Sequence, residues 1–297
     1  MKTHPAFAGR REMVPLSGFS GALIALLRDD EGRAFVRKAA ETPEHSKRLK
    51  RQAERQAMLS ALVRGVAHMP EVEREGESDG CYWFDMSFAP GRDAVTYLSE
   101  ASHDQFDAFT RDIGKIVERL AACPADGPTF VPGQAIAAKF AEIDRKTDGQ
   151  HAPLMGRLIA ASNAMNFELN PTAAHGDLTL ENIIVGKDRK LWLIDTIDSP
   201  FDHYWIDLSK LFQDCEGRWF LHRGHTLSLG LSWELRQRLY RYASVMDSRY
   251  PAWHYLMLTL TFTRILPYAR DEHDRAFIEG RVTLFAEASE RALEKTA

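Results

Sequence analysis

The sequence has little of several features that would mark a special class of protein. Its three cysteines, Cys81, Cys123 and Cys215, are odd in number and lack C-x-x-C spacing, which argues against a disulfide framework and a structural zinc site. No uninterrupted apolar stretch approaches the roughly 20 residues that cross a bilayer, and the N-terminus has no apolar signal core. The net charge of −4 gives no indication of nucleic-acid binding. We therefore expect a cytoplasmic protein without a membrane or nucleic-acid partner.

What is present is an ordinary globular composition that is spread unevenly along the chain. With 297 residues and 44% hydrophobic content, the chain can bury a substantial core in one large unit or two smaller ones. The N-terminal part predicts strands, with a tight turn at Asp29–Gly32 and a third strand that ends near Lys38. A helix should follow, with Thr42 as its N-cap and Pro43 in its first turn. We expect residues 1–88 to form a β-rich unit with one helix.

After Gly91 the pattern becomes mostly helical. Ser102 and Gln105 fit a capping box, and apolar residues follow at three- and four-residue spacing. These apolar positions are Phe106, Phe109, Ile113, Ile116, Val117 and Leu120. Most of the C-terminal third also predicts helix. We expect residues 89–297 to form a larger α-rich unit, which makes the fold class α+β.

The segment "HGDLTLENIIVGKDRKLWLID" combines polar side chains with two short apolar runs that predict a β-hairpin. Pairing Ile183 with Ile194 closes a four-residue loop at 187–190 and places Asn182 opposite Asp195. Opposed residues have Cβ atoms about 4.5–5.5 Å apart. An amide oxygen and a carboxylate at that separation could bind one Mg²⁺, which prefers oxygen ligands and keeps positions for water or phosphate.

Asp177 lies on the segment that leads into this hairpin. A carboxylate beside a metal-bound triphosphate can orient a hydroxyl and accept its proton. The alternative is that Asp177 and Asp195 are surface turn residues and that Asn182 caps a helix. Three oxygen-bearing side chains at this spacing favour the metal–phosphate site.

"HGDLTLEN" and "LWLID" resemble the catalytic loop and metal-binding strand of the aminoglycoside phosphotransferase and choline kinase group. These are small-molecule kinases with a bilobal, protein-kinase-like fold. His175, Asp177 and Asn182 match the H-x-D-x-x-x-x-N motif; Asp195 matches the second metal-binding aspartate, and Asp207 the aspartate of a later D-L pair. The resemblance implies ATP and Mg²⁺ as cofactors, with Asn182 and Asp195 as metal ligands. It also implies Asp177 as the catalytic base, and His175 and Asp207 as braces of the catalytic loop.

The same resemblance implies that the N-terminal unit covers the nucleotide. The turn "SGFSG" would approach the phosphates, because glycine lets backbone N–H groups come close to phosphate oxygens. The turn residues expected to do so are Ser17, Gly18, Ser20 and Gly21. Backbone groups of Ser87 and Phe88, in the connection "MSFAP", are expected to contact adenine.

Lys38 matches the lysine of the resembled group that pairs with the nucleotide phosphates. The following helix should offer a carboxylate partner for this ammonium group. We expect Glu54 to be that partner, with Glu44 as the alternative.

Two other classes of function compete with a small-molecule kinase. Protein kinases carry H-R-D and a long activation loop, whereas Gly176 replaces the arginine here and only 12 positions separate Asp195 from Asp207. A non-catalytic pseudokinase remains an alternative, as does a structural metal-binding hairpin. Both are disfavoured because no chemical residue of the motif is missing and because a structural hairpin would not explain Lys38.

The acceptor is expected to contact the segment after Asp195, where acidic and basic residues are mixed. This mixture disfavours a polycationic aminoglycoside, while Arg218 and Arg223 could hold an anionic substrate. The aromatic residues of the segment could form a choline-type cage, stack on a sugar, or lie in the core. They are Tyr204, Trp205, Trp219 and Phe220.

The chain has a further, weaker resemblance to phosphotransferase-like proteins of bacterial surface-polysaccharide pathways. It rests on "FVRKAAETPEHSKRLKRQAERQ" and "LIDTIDSPFDHYWIDLSKLFQD". We therefore predict an ATP-dependent kinase that phosphorylates a hydroxyl of a sugar or sugar-derived metabolite. An aminoglycoside or amino-alcohol kinase and a non-catalytic nucleotide-binding protein are the alternatives. The oligomeric state stays open.

Overall fold

The structure is a computed structural model that describes residues 4–8, 13–16 and 22–294. The chain divides into two compact units: Met1–Arg92 with Ile183–Asp198, and Asp93–Asn182 with Ser199–Ala297. The predicted domains, 1–88 and 89–297, stay a prediction about folding units. The observed first unit differs from the predicted one in that it includes the hairpin.

A five-stranded antiparallel sheet organises the first unit, in the order β1-β2-β3-β5-β4. Its strands are β1 (Met13–Leu16), β2 (Ala22–Arg28), β3 (Ala34–Ala40), β4 (Val72–Ser78) and β5 (Cys81–Ser87). The predicted turn is confirmed, since the Gly32 N–H donates to the Asp29 carbonyl at 3.0 Å. The sequence did not predict β4, because an exposed edge strand with charged side chains lacks the apolar alternation that marks a strand.

Helix α1 (Pro43–Leu62) begins as predicted, with Thr42 at the N-cap and a proline in the first turn. Its buried face includes Leu49, Ala53 and Leu59. Leu49 and Ala53 pack with Val36 and Phe84 of the sheet. The other face of the sheet packs on Ala6 and Phe7. Because both faces are covered, β3 is buried along most of its length.

Strands β7 (Ile183–Val185) and β8 (Leu191–Leu193) form the predicted antiparallel hairpin, in a small sheet of order β6-β7-β8 with β6 at Arg92–Asp93. The predicted register was wrong by one residue, because Ile183 pairs with Leu193 instead of Ile194. The ladder therefore ends before Asp195, and the predicted strand pairing of Asn182 with Asp195 is absent from it.

The loop of the hairpin explains the shift. The Gly186 N–H donates to the Lys190 carbonyl at 2.9 Å, and the Arg189 N–H donates to the Gly186 carbonyl at 2.8 Å. Arg189 has a φ of 64°. A type I turn followed by one left-handed residue closes a three-residue loop and is a common hairpin connection. The prediction assumed four loop residues, which moves every pair along the ladder by one.

His68 joins this hairpin to the rest of the first unit. Its N–H donates to the Leu191 carbonyl and its carbonyl accepts from the Leu193 N–H, both at 2.8 Å. Its ring stacks on Trp192, with centroids 4.9 Å apart. These contacts are why the hairpin groups with the N-terminal strands.

The second unit is built from helices. They are α2 (Ala94–Glu100), α3 (His103–Ala122), α4 (Pro132–Lys146), α5 (Ala152–Asn163), α6 (Tyr204–Cys215), α7 (Trp219–His222), α8 (Leu229–Met246), α9 (Tyr250–Thr263) and α10 (Glu272–Glu294). The predicted capping box is confirmed, since Ser102 and Gln105 bond each other's backbone N–H groups, and all six predicted apolar positions of α3 are buried. Among the described residues, no helix combines the length and apolar character that crossing a membrane requires.

Candidate active site

In the second unit, the carboxylate of Asp207 holds the start of the predicted catalytic loop. Its two oxygens accept from the backbone N–H groups of His175 at 2.7 Å and of Gly176 at 2.8 Å. Asp207 is fully buried in the first turn of α6. Gly176 has a φ of 88°, a left-handed conformation that glycine adopts readily. The loop therefore enters the site in a fixed direction.

Asp177, the predicted base, has a hydrogen-bonding partner on each carboxylate oxygen. Its Oδ1 lies 2.9 Å from Nζ of Lys210, and its Oδ2 accepts from Nδ2 of Asn182 at 2.9 Å. The same Nδ2 also donates to the Asp177 carbonyl at 2.8 Å. Lys210 is nearly buried, whereas the Asp177 side chain keeps 23% exposure. The carboxylate is thus oriented by Lys210 and Asn182 and remains partly exposed to solvent.

One face of α6 serves this loop. Asp207, Lys210 and Asp214 recur at i, i+3 and i+7, the spacing of a single helix face. The Oδ2 atom of Asp214 accepts from the Leu180 N–H at 2.6 Å. Complete burial raises the pKa of Asp214 to about 8, although this hydrogen bond opposes the shift. At neutral pH the raised pKa therefore favours the protonated form of the Asp214 carboxyl.

In the first unit, Lys38 contacts the predicted metal-binding aspartate. Nζ of Lys38 lies 2.6 Å from Oδ1 of Asp195, and Nε2 of Gln52 donates to the same oxygen at 2.9 Å. Gln52 also donates to the carbonyl of Thr196. Asp195 has a left-handed φ of 63° just beyond β8. Its side chain is therefore held by one residue of β3 and one of α1.

The choice of Glu54 as the partner of Lys38 was wrong. Glu54 is exposed, as is the alternative, Glu44. Successive helix residues are about 100° apart, so a side chain two positions from the buried Gln52 points about 200° away from it. In the part of the chain that the structure describes, the acidic partner of Lys38 is Asp195, and α1 supplies an amide instead of a carboxylate.

The other predicted nucleotide contacts are less fully tested. Ser17, Gly18, Ser20 and Gly21 lie outside the described residues. The Ser87 N–H donates to the Glu71 carbonyl at 2.9 Å, so this donor is already used between strands. Phe88 follows the end of β5 and is 40% exposed. The adenine contact stays a prediction.

The donor atoms suit Mg²⁺. Asn182 uses its amide nitrogen on Asp177, and its Oδ1 has no hydrogen bond to the described residues. Asp195 adds a carboxylate, and oxygen ligands are what Mg²⁺ prefers. The described residues contain no group of three or more His, Cys, Asp or Glu that could hold a metal. Asn182 and Asp195 therefore stay predicted metal ligands, each with an oxygen of the type that Mg²⁺ prefers.

Comparison with known proteins decides the family. Residues 14–224, more than half of the chain, match the model of the phosphotransferase enzyme family. The chain belongs to this family. The match includes every predicted site residue of this phosphotransferase, and it confirms the resemblance drawn from the sequence. None of the curated proteins compared with the chain matches it significantly.

Solved structures agree on the fold. A thermostable mutant of aminoglycoside phosphotransferase APH(4)-Ia has 14% identity and a TM-score of 0.67, over 94% of this chain and 95% of that one. Aminoglycoside 2'-phosphotransferase-IIIa has 16% identity and a TM-score of 0.64, over 94% of each chain. Macrolide 2'-phosphotransferase type I has 13% identity and a TM-score of 0.60, over 91% and 90%. The predicted α+β, protein-kinase-like fold is confirmed.

The aromatic residues of this phosphotransferase's predicted acceptor segment lie mostly in the core. Trp205 and Phe220 are fully buried and Tyr204 is nearly so. Trp205 packs edge-on against Tyr250, with centroids 5.3 Å apart. These three rings do not line an open choline-type cage. Arg223 lies 3.5 Å from Glu181, so one of the two arginines considered for an anionic substrate faces a carboxylate.

Sequence analysis missed Gln52, Lys210 and Asp214 as site residues. For the last two, a signal existed, because charged residues at i+3 and i+7 from Asp207 share one face of a largely apolar helix. For Gln52, the signal was a glutamine in phase with the apolar positions of α1. Both signals identify a buried face, but neither shows what that face contacts.

Proposed function

We propose that the chain transfers the γ-phosphate of ATP to a hydroxyl of a small molecule, most specifically a sugar or sugar-derived metabolite. The observation that carries this proposal is the hydrogen bonding and the exposure of the Asp177 carboxylate. Its carboxylate is held by Lys210 on one oxygen and by Asn182 on the other, and part of it remains exposed.

Asp177 would act on the acceptor. As the hydroxyl oxygen bonds to the γ-phosphorus, the bond from that phosphorus to the bridging oxygen breaks and ADP leaves. The hydroxyl proton passes to the Asp177 carboxylate, whose two donors keep it oriented toward the acceptor. The clamp of Asp207 on the loop backbone would keep this carboxylate in place between turnovers.

Lys38, Asp195 and Asn182 would act on the nucleotide. Lys38 would contact phosphate oxygens, and Asn182 and Asp195 would hold Mg²⁺, which neutralises phosphate charge when bound. Similar structures support the nucleotide, since APH(4)-Ia is described in a complex with ADP and hygromycin B and the 2'-phosphotransferase-IIIa in a complex with GDP. The preference for ATP is part of the proposal.

The acceptor is proposed from chemistry. The similar structures are described with aminoglycosides or as a macrolide phosphotransferase. In this chain, acidic and basic residues are mixed after Asp195, and several are already paired, as Arg223 is with Glu181. Such a surface suits a neutral or weakly charged hydroxyl compound better than a polycation. An aminoglycoside is the alternative, and the acceptor screen includes it.

The acceptor screen measures ADP release from MgATP with sugars, amino alcohols, aminoglycosides and macrolides. We expect a sugar-type hydroxyl to raise ADP release well above the rate in water. Release stimulated only by an aminoglycoside would replace the sugar with the alternative. No stimulation by any acceptor, together with tight ATP binding, would favour the non-catalytic alternative.

Asp177→Asn tests the base. This variant keeps the shape of the side chain but cannot accept the proton, so transfer should fall at least a hundredfold while ATP affinity changes less than threefold. Asp188→Asn, in the exposed hairpin loop, is the matched control and should transfer normally. Equal activity of Asp177→Asn and wild type would remove Asp177 from this role.

Asp195→Ala tests the metal ligand. If its carboxylate contacts the nucleotide through Mg²⁺, the variant should lose affinity for a fluorescent ATP analogue in Mg²⁺ but not in EDTA. A loss of the same size under both conditions would show that Asp195 acts without the metal.

A further inference from the structure

The second unit contains a cavity of about 370 Å³ that the proposed reaction does not use. Its wall is made by the C-terminal end of α6, by α9 and by α10. The lining residues are Glu216, Arg218, Tyr255, Arg281, Leu284, Phe285, Ala288 and Arg291. The cavity is open to solvent on one side, and its volume is in the range of pockets that bind small organic molecules.

Positive charge dominates the lining. Three arginines contribute to it, and Glu216 is the acidic residue among the lining side chains. Glu216 is already used, because its Oε2 lies 3.1 Å from Nε of Arg236 and 2.8 Å from Nε2 of His254. The carboxylate is therefore neutralised by residues behind the wall. Arg291 lies 3.7 Å from Glu287 at the exposed rim, so Arg218 and Arg281 set the charge of the cavity.

Arg281 is the most informative of these arginines. Among the described residues, its guanidinium has no carboxylate partner, and it lies over the ring of Phe277 at 5.0 Å from the ring centroid. Partial burial, and the positive charge of Arg218, lower the pKa of the Arg281 guanidinium. The partly buried Arg281 guanidinium thus feels the like charge of the exposed Arg218, and an anion between them would stabilise both.

Arg218 is presented to the cavity by an unusual backbone. It has a φ of 58° at the N-cap of α7, directly after Gly217. Non-glycine residues adopt this conformation infrequently, and such residues concentrate at functional positions. Tyr255 and Phe285 form an aromatic part of the lining, and their rings stack with centroids 6.3 Å apart. The cavity therefore offers cationic groups beside an apolar and aromatic wall.

We propose that this arginine cavity binds a small organic anion, with its phosphate or carboxylate group at Arg218 and Arg281 and its apolar part against Leu284 and Phe285. The inference is independent of the proposed function, because binding requires no phosphoryl transfer. The anionic group could belong to the acceptor or to a separate effector. In both cases the cavity recognises the same kind of ligand, a phosphate or carboxylate group attached to an apolar part.

Calorimetric titration with three probes tests the cavity: phenyl phosphate, inorganic phosphate and neutral phenyl glucoside. All titrations contain saturating MgADP, so that a nucleotide site cannot take up the probe. We expect phenyl phosphate to bind one site, at least tenfold more tightly than inorganic phosphate, and phenyl glucoside to bind more weakly than both. Binding of the neutral probe as tightly as phenyl phosphate would overturn the proposal.

Variants locate the binding. Arg281→Met and Arg218→Met should each weaken phenyl phosphate binding at least tenfold, and Arg281→Lys should retain part of it. Arg241→Met, which removes an exposed arginine of α8, should bind as wild type does. Arg218 is exposed, so its replacement should leave the fold intact even where that of Arg281 does not. Wild-type affinity in both methionine variants, or no saturable binding to the wild type, would overturn the proposal.

A kinetic comparison separates the two sources of the anion. If the anionic group belongs to the acceptor, Arg218→Met should raise KM for phosphorylated or carboxylated acceptors and leave KM for neutral acceptors unchanged. If the anion is a separate effector, phenyl phosphate should change the rate with a neutral acceptor, and Arg218→Met should abolish that change. Either result supports the cavity. A chain without transferase activity would still give the calorimetric result.

Discussion

Nζ of Lys38 lies 2.6 Å from Oδ1 of Asp195, although 157 residues separate the two in sequence. Gln52 donates to the same oxygen, so one carboxylate joins β3, α1 and the end of the hairpin within the first unit. The contact places a cation and a candidate metal ligand side by side, which is the relationship that a nucleotide-phosphate site requires.

Replacing Gln52 with methionine should lower both the stability of the protein and its turnover. The change removes the donor to Asp195 and leaves the buried Thr196 carbonyl without the amide that bonds it. We expect the free energy of unfolding to fall by about 1–3 kcal/mol, and turnover to fall at least fivefold because Asp195 is less well fixed. Urea unfolding and ADP release measure the two effects. Glu54→Gln, on the exposed face of α1, should change neither, and a drop as large as that of Gln52→Met would restore Glu54 to the site.

Replacing Lys210 with methionine should lower kcat. Lys210 bonds one oxygen of the Asp177 carboxylate, so its loss leaves the proposed base with a single side-chain donor and less fixed in direction. We expect kcat to fall at least tenfold while the nucleotide dissociation constant changes less than twofold, and Lys210→Arg to recover part of the rate. Lys115→Met, which removes an exposed lysine of α3, is the control. An unchanged kcat in Lys210→Met would show that Asn182 alone suffices to hold Asp177.

Replacing Asp214 with asparagine should change how stability depends on pH. The native carboxyl keeps its proton up to a pKa of about 8, whereas in the unfolded chain it titrates near its ordinary value of 3.8. Between these values the unfolded state binds fewer protons, so the wild-type free energy of unfolding loses up to about 1.4 kcal/mol per pH unit as pH rises. Asparagine cannot titrate, so the stability of the variant relative to wild type should rise from pH 5 to pH 8.

The measurement for Asp214 is urea unfolding at several pH values across that range. Asp126→Asn, at an exposed position of the same unit, is the matched control and should follow the wild-type pH profile. If Asp214→Asn also runs parallel to wild type from pH 5 to pH 8, Asp214 is ionised in the native protein.

Replacing Arg37 with methionine should destabilise the first unit strongly. Arg37 and Asp85 are cross-strand neighbours, Nε of Arg37 lies 2.6 Å from Oδ1 of Asp85, and both side chains are almost completely buried. Removing one partner of a buried pair costs about 3–5 kcal/mol, and Arg74, 3.3 Å from Asp85, should keep the loss near the lower end. Arg33→Met breaks the exposed pairs with Asp29 and Glu73 and should cost much less, because exposed ion pairs contribute little to stability. If urea unfolding shows the same loss of unfolding free energy for both variants, burial does not strengthen the Arg37–Asp85 pair.

Much of the local structure followed from the sequence. The capping box at Ser102, the turn at Asp29–Gly32 and the helix start at Thr42 each depend on neighbours within a few residues, so composition and spacing are sufficient to predict them. The hairpin was predicted for the same reason. Its register was not, because one left-handed residue, Arg189, shortens the loop and nothing in its side chain indicates that conformation.

The sequence by itself determined which residues are the candidates for chemistry. The spacing of His175, Asp177 and Asn182 and the aspartate after the hairpin are properties of one continuous segment, and they sufficed to indicate the family. Only the tertiary structure decided which partners these carboxylates have. Gln52 reaches Asp195 across 143 residues, and Lys210 of α6 reaches Asp177, which lies outside any helix. Such contacts depend on how helices pack, and side-chain spacing along one helix gives the direction of a face but not what lies opposite it.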